Sequence, residues 1–218
     1  MAKTKCEKII HEYFHYPYDG SMFVYNNIVT QEDALTQSFT QILSHVRSIN
    51  GVSTAMSIHE AVVDFMEGVE GKVVLDVGSR QGHFSFLMAE AGATVTGVDD
   101  TEREVTFSNC LAKLKGLNVR FKHDTIHHYL TTTKKKYDLA LVLNVFDHVL
   151  RDTPREEAFW VLNEISKRCK KMVYMSGPLL PELSGKIIPE IMIEHSQYKG
   201  YISLLDNSYA GRTLYGFW

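Results

Sequence analysis

The segment Asp76–Gly82, which reads DVGSRQG, joins a carboxylate to two glycines directly after the apolar run Val73–Leu75. A turn of this kind between a strand and a helix can present backbone amides and lets a ligand approach the backbone closely. Gly78 and Gly82 could equally serve a tight turn and close helix packing. The spacing is neither the G-x-G-x-x-G of dinucleotide-binding proteins nor the G-K-[ST] of triphosphate loops. Because Asp76 would repel a phosphate, the turn favours a ligand with a positive ammonium group.

Acidic side chains also follow the next two predicted strands. Asp99 and Asp100 come roughly 20 residues after the glycine turn, where a carboxylate can accept hydrogen bonds from both hydroxyls of a ribose. Asp124 and Thr125 follow the third predicted strand. Asp99 and Asp124 could instead be ordinary loop acids or helix caps. Because parallel strands end at one edge of a sheet, their succession predicts a single site there.

The DVGSRQG segment resembles the first motif of class I S-adenosylmethionine-dependent methyltransferases, an apolar strand followed by (D/E)-x-G-x-x-x-G. The resemblance covers about residues 72–218 and implies S-adenosylmethionine as the cofactor. It also implies that Asp124 contacts the adenine amino group, and that the end of the fourth strand meets the methionine part of the cofactor. The residues that it suggests for cofactor binding are Asp76, Gly78, Ser79, Gly82, Asp99, Asp100, Asp124, Thr125 and Asn144.

Methyl transfer from a sulfonium is an in-line displacement, so alignment of the acceptor in a water-poor pocket can supply much of the catalysis. A general base is needed only where the acceptor still carries its proton. His148 is the candidate base, because an imidazole titrates near neutral pH and this one follows the strand that ends at Asn144. Asp147 is the weaker alternative, or an orienting partner, and a structural role for His148 stays open.

Short apolar runs alternate with amphipathic segments from residue 72 onward, which predicts an α/β fold. We expect a Rossmann-like, doubly wound, mostly parallel sheet over residues 71–218, closed by a C-terminal antiparallel hairpin with a turn at 206–212. Residues 1–70 are predicted to form a helical N-terminal extension. Its aromatic run at 11–18 could form a substrate lid or could simply pack on the sheet domain. The predicted strands are Val73–Val77, Thr94–Val98, Val119–Lys122, Leu139–Asn144 and Met172–Met175.

Composition limits the partners. The net charge of −3 gives no general attraction to nucleic acid, and the run at 134–136 precedes the fourth strand, which places it at the edge opposite the predicted site. A small-molecule acceptor is therefore favoured over RNA. The three cysteines are widely spaced, which indicates a reducing compartment, and without a signal-like or membrane-length apolar run we expect a cytoplasmic protein. No metal is predicted, since His123, His127 and His128 point in different directions.

Two other functions remain possible from the residues alone. A nicotinamide-dependent oxidoreductase is disfavoured by the glycine spacing and by Asp76 at a position that is usually apolar in such folds. A noncatalytic methyltransferase-like subunit could keep the whole set of acidic residues while binding a partner protein. The sequence leaves the acceptor, the oligomeric state and the choice between binding and turnover open.

Overall fold

A computed structural model describes residues 4–15, 35–41, 54–175, 188–209 and 212–218. Its centre is a seven-stranded sheet, in which the first five strands of the chain are parallel and the last two form an antiparallel hairpin. The predicted Rossmann-like fold with a C-terminal hairpin is therefore confirmed. The strands are β1 (Val73–Val77), β2 (Thr94–Asp99), β3 (Val119–His123), β4 (Tyr137–Leu143), β5 (Cys169–Met175), β6 (Tyr201–Tyr209) and β7 (Arg212–Phe217). Their order in the sheet is β3-β2-β1-β4-β5-β7-β6.

The strand bounds agree closely with those expected from the apolar runs. β1 has the predicted bounds, while β4 begins two residues earlier than expected and ends at Leu143. β6 differs more, because it continues to Tyr209. Residues 206–209, predicted as turn, therefore belong to a strand that pairs with β7 through register shifts between Ser203 and Tyr209.

Helices cover both faces of the sheet. Successive residues of β4 point to opposite sides, so Leu139 packs with the helices Thr54–Phe65 and His83–Glu90, while Ala140 packs with the helix Arg155–Arg168. The helices are α1 (Lys5–His15), α2 (Thr54–Phe65), α3 (His83–Glu90), α4 (Glu102–Lys115), α5 (Ile126–Thr132), α6 (Phe146–Asp152), α7 (Arg155–Arg168) and α8 (Ile188–Glu194).

The first helix of the N-terminal region packs against α4. Tyr13 is buried, its ring stacks on Phe107 with centroids 4.0 Å apart, and its hydroxyl donates a hydrogen bond to the buried carboxylate of Glu104. Tyr13 thus packs in the core, which is one of the two roles expected for the aromatic run. Residues 16–18 of that run lie outside the described residues.

Tyr13→Phe is expected to lower the free energy of unfolding by about 1–3 kcal/mol, because Glu104 loses a donor at a site that water does not reach. Urea denaturation measures the change. Tyr201→Phe is the matched control, since the Tyr201 side chain is 40% exposed and its loss of a hydroxyl should change stability by less than about 0.5 kcal/mol. Equal effects of the two variants would contradict the seating of α1 through Tyr13.

Candidate active site

Asp76 lies at the carboxyl edge of the sheet, one residue before β1 ends. Its side chain is 4% exposed, and Ser85 Oγ of α3 donates to Asp76 Oδ2 at 2.6 Å. Burial raises the pKa of Asp76 to about 7, and the nearby Asp99 carboxylate adds to this shift, while the hydrogen bonds from Ser85 oppose it. Asp76 is therefore a buried carboxyl that a neighbouring cation would stabilise in its charged form.

The two glycines of the turn are required by protein packing. Gly78 and Gly82 have φ angles of +66° and +82°, which favour glycine. A Cβ atom on Gly78 would lie 2.5 Å from Val145 Cγ2, and one on Gly82 would lie 2.4 Å from Phe121 Cζ. Both missing Cβ positions therefore point at protein side chains, in agreement with the close-packing interpretation of these glycines.

The backbone amides of the turn are largely used within the protein. The amides of Gly78 and Ser79 both donate to the carbonyl of Val98, at 2.9 and 3.1 Å, and the amide of Arg80 donates to Asp99 Oδ2 at 2.8 Å. The expectation that this turn presents free amides is wrong for these three positions. The reason is that β1 and β2 end side by side, so the turn hydrogen-bonds to the end of β2.

Asp99 ends β2 beside Asp76 and is 5% exposed. Besides the amide of Arg80, it accepts the amide of Thr101 on Oδ1 at 3.0 Å. Each carboxylate oxygen has two lone pairs, so one acceptor position on each oxygen remains for two further donors. The neighbouring Asp100 is exposed, and its carboxylate accepts the Thr101 hydroxyl at 3.3 Å.

Asp124 and Thr125 stand at the same edge, after β3. The amide of Asp124 donates to the carbonyl of Asp99 at 3.0 Å, which holds the ends of β2 and β3 together. The Asp124 carboxylate contacts His128 Nδ1 at 2.8 and 3.0 Å. Thr125 caps α5, since its hydroxyl accepts the amide of His128 at 3.1 Å. Asp124 therefore lies at the predicted edge of the sheet with its carboxylate against His128, whereas the hydroxyl of Thr125 caps the helix.

Asn144 follows β4 in a left-handed conformation with a φ of +57°. Its amide donates to the carbonyl of Met175 at 2.7 Å, and Arg212 Nη1 donates to its side-chain oxygen at 2.6 Å. A non-glycine residue in this conformation is often held at a functional site by its surroundings. Here the end of β5 and the start of β7 hold Asn144 at the carboxyl edge.

Asp147 and His148 lie in the first turn of α6, directly after Asn144. Asp147 Oδ1 is buried and has no hydrogen-bond partner within the described part of the chain. His148 is exposed, and Arg151 Nη2 donates to His148 Nδ1 at 2.9 Å. In the neutral imidazole that contact leaves the proton on Nε2. His148 would therefore have to release Arg151 before acting as a base.

Among the residues that the structure describes, no three or more His, Cys, Asp or Glu side chains are grouped so that they could hold a metal ion. In the same ranges, no helix has the length and apolar character needed to cross a bilayer.

A family model described as a methyltransferase domain matches residues 69–177, which is half of the chain and includes every acidic residue of the site. The chain belongs to this methyltransferase family. It resembles the ubiquinone biosynthesis O-methyltransferase of Actinobacillus pleuropneumoniae, with 35% identity over 86 residues, or 38% of this chain and 37% of that protein. The enzyme of the same name from Pseudomonas fluorescens is 33% identical over 87 residues, or 40% of this chain and 38% of that protein. These matches span little more than a third of the curated relatives.

Solved methyltransferases share the fold. The magnesium protoporphyrin IX methyltransferase of Synechocystis PCC 6803, solved with bound SAM, is 20% identical with a TM-score of 0.53, covering 100% of this chain and 99% of that one. A 16S rRNA methyltransferase of T. thermophilus, solved with AdoMet and guanosine, is 22% identical with a TM-score of 0.58, covering 76% of this chain and 43% of that one. At these identities the likeness is one of fold.

Two side-chain contacts of this chain could not be found from the sequence. Arg212 is nearly 70 positions from Asn144 in the chain, and no local motif links them. Glu104 is buried in the first turn of α4, where a glutamate is common in any helix. Nothing in the sequence therefore indicated that it contacts Tyr13.

Proposed function

We propose that this chain binds S-adenosylmethionine at the carboxyl edge of β1 to β3 and transfers its methyl group to an oxygen or nitrogen of a small molecule. The observation that carries the proposal is the succession of Asp76, Asp99 and Asp124 at the ends of three adjacent parallel strands. Membership of a methyltransferase family supports the same conclusion.

The chemistry of these carboxylates fits the proposed cofactor. Asp99 has an acceptor position left on each oxygen, which suits the two hydroxyls of a ribose. Asp76 is buried, and burial raises its pKa to about 7, so an ammonium group beside it would favour the ionised form. Asp124, at the end of β3, has the position proposed for contact with the adenine amino group.

When bound, the cofactor supplies an electrophilic methyl group on a sulfonium. The chain's own contribution would be to orient the acceptor near Asn144 and to exclude water from it. Where the acceptor carries a proton, Asp147 Oδ1 is a buried acceptor at the start of α6. His148 stays a candidate base. To act as one, its Nδ1 would have to lose the hydrogen bond from Arg151 and take the proton of the acceptor instead.

A small-molecule acceptor is favoured over RNA by the position of positive charge. The lysines at 134–136 precede β4 and so lie at the amino edge, away from the acidic site. Lys135 Nζ donates to Thr96 Oγ1 at 2.9 Å and Lys136 Nζ donates to the carbonyl of Lys167 at 2.8 Å, so both ammonium groups have partners within the protein. Relatives named as O-methyltransferases agree with an oxygen acceptor.

Isothermal titration calorimetry with S-adenosylmethionine, S-adenosylhomocysteine and NAD tests the cofactor. We expect the first two to bind and NAD to give no heat of binding. Binding of NAD alone would contradict the proposal. To test the acceptor, methyl-labelled S-adenosylmethionine is incubated with the protein and either a small-molecule extract or total RNA. Label in the small-molecule fraction is expected, and label confined to RNA would overturn the choice of acceptor.

Asp99→Asn is expected to raise the Kd for S-adenosylmethionine at least about tenfold, because a charge-assisted hydrogen bond to a ligand hydroxyl contributes about 1.5–3 kcal/mol. Asp138→Asn is the matched control. Asp138 also accepts a backbone amide, that of Val73 at 2.9 Å, but it lies in β4 at the amino edge of the sheet. Its replacement should leave the Kd unchanged. Equal Kd values for Asp99→Asn and the unmodified protein would remove Asp99 from the site.

A further inference from the structure

Two cysteines meet across the interface between α1 and α4. Near the end of α1, the carbonyl of Tyr13 accepts a hydrogen bond from Arg103 Nη2 at 3.4 Å. Cys6 lies seven residues before Tyr13 and Cys110 lies seven residues after Arg103, so each is about 10 Å away along its helix. Because Tyr13 contacts the start of α4, the start of α1 lies toward the end of α4, where Cys6 and Cys110 belong to one core cluster, with Cys110 inside it and Cys6 packed against it. The Cys6 thiol is close enough to Cys110 to raise the pKa of Cys110.

The two thiols differ in access. Cys110 is 8% exposed and belongs to the same core cluster as Phe107 and Leu111, whereas Cys6 is half-buried at the rim of that cluster. Burial, reinforced by the neighbouring Cys6 thiol, raises the pKa of Cys110 to about 12, so Cys110 stays protonated near neutral pH. A small oxidant from solvent therefore meets Cys6 first, with Cys110 directly behind it.

We propose that Cys6 and Cys110 form an oxidation site that closes to a disulfide when the protein meets a peroxide. The Cys6 sulfur attacks one oxygen of hydrogen peroxide, so that an S–O bond forms, the O–O bond breaks and one water leaves. The Cys110 sulfur then attacks the Cys6 sulfur, so that the S–S bond forms, the S–O bond breaks and the hydroxyl leaves with the Cys110 proton as a second water. Two thiols and one peroxide thus give one disulfide and two waters.

The disulfide would tie α1 covalently to the sheet domain. It would close the chain between residues 6 and 110, a long loop whose cross-linking restricts the unfolded state strongly. The Tyr13 contacts already seat α1 on α4, so the bond would fix an arrangement that the reduced protein has. Cys169 offers an internal control, because it is 2% exposed and lies in a different core cluster, with Leu162 and Ile165.

The test treats the full folded chain with hydrogen peroxide, blocks remaining thiols with iodoacetamide and maps disulfide-linked peptides by mass spectrometry. We expect a peptide that joins Cys6 to Cys110 and a loss of two hydrogens from the intact mass. The melting temperature should rise by about 5 °C and fall back to its original value when the disulfide is reduced. Cys169→Ala should behave in the same way, while Cys6→Ala should lose both the linked peptide and the shift. Because Cys6 is half-buried at the end of a helix, its replacement should leave the protein folded.

Several results would overturn the proposal. One is a Cys6 that progresses to the sulfinic acid without a linked peptide, which would mean that Cys110 cannot reach it. Another is a link from Cys6 to Cys169 or to a second chain. Unchanged thiols after peroxide treatment, with a melting temperature equal to that of the Cys6→Ala variant, would also contradict it.

Discussion

Gly78→Ala is expected to lower the free energy of unfolding by about 2–5 kcal/mol. The φ of +66° costs an alanine about 1–2 kcal/mol, and its Cβ would lie 2.5 Å from Val145 Cγ2, where the backbone must shift or Val145 must move at a cost of about 1–3 kcal/mol. Because the amide of Gly78 donates to Val98, a shift of the turn would also disturb the end of β2 beside Asp99. Weaker binding of S-adenosylmethionine should accompany the loss of stability.

Gly116→Ala separates the two causes. Gly116 has nearly the same φ, +65°, but nothing lies within 4 Å of where its Cβ would be. This variant should therefore lose only about 1–2 kcal/mol in urea denaturation. Val145→Ala introduced together with Gly78→Ala should recover part of the larger loss by removing the crowded methyl groups. If Gly78→Ala and Gly116→Ala lost the same stability, the contact with Val145 would not be the reason for the glycine at position 78.

The strands and the acidic edge of the sheet could be predicted because their signals are local. Val73–Val77 is a short apolar run bounded by turn residues, and a strand that is buried on both faces needs little more. Asp76, Asp99 and Asp124 each follow or end such a run, and parallel pairing then places them at one edge whatever the rest of the chain does. The positions of these residues therefore followed from sequence, while their roles in binding stay predictions.

Contacts between distant segments could not be predicted in the same way. The hydrogen bond from Arg212 to Asn144 depends on the antiparallel pairing of β7 with β5, and Tyr13 reaches Glu104 only because α1 crosses α4. The extra length of β6 is another case. Residues 206–208 have the composition of a turn, but Leu205 and Tyr209 on either side of them pair with β7, which is a tertiary effect that overrides local propensity.

The glycine turn shows how one pattern can serve two purposes. The sequence left two roles open for Gly78 and Gly82, access for a ligand and close packing, and the structure places Val145 and Phe121 where their side chains would be. Packing the turn this tightly brings Ser79 and Arg80 onto the end of β2. The glycines therefore act on the site indirectly, by bringing the end of β2 with Asp99 next to Asp76.

Asp76→Asn is expected to stabilise the protein at pH 8. In the folded state the pKa of Asp76 is about 7, against 3.8 for an ordinary aspartate, so the folded protein holds a proton that the unfolded chain has lost. Stability therefore falls as the pH rises from about 4 to 7, by about 4 kcal/mol in all. An uncharged amide removes this loss, and urea denaturation at pH 5 and pH 8 should show a larger gain for the variant at pH 8.

Asp138→Asn should have the opposite sign. Hydrogen bonds from Lys170 and Val73 lower the pKa of Asp138, so its stabilising effect is present above the ordinary pKa of an aspartate and is lost as the pH falls. The same chemical change should therefore destabilise the protein at pH 8. Comparing each variant with the unmodified protein at one pH cancels the contributions of buried histidines such as His83, whose pKa is lowered to about 4 by burial. If both variants lost stability at pH 8, Asp76 would not be a destabilising buried charge.

The same Asp76→Asn variant should bind S-adenosylmethionine about 10- to 100-fold more weakly, because the amide cannot balance an ammonium group in a buried site. In the unmodified protein the affinity should rise between pH 6 and pH 8 as Asp76 ionises, and binding at pH 7 should release a fraction of a proton. Calorimetry in two buffers with different ionisation enthalpies measures that proton. An unchanged Kd in the variant, or binding without proton release in the unmodified protein, would place the ammonium group away from Asp76. If Asp76→Asn is more stable but binds S-adenosylmethionine more weakly, the buried carboxylate lowers the stability of the folded protein and is needed for its charge in ligand binding.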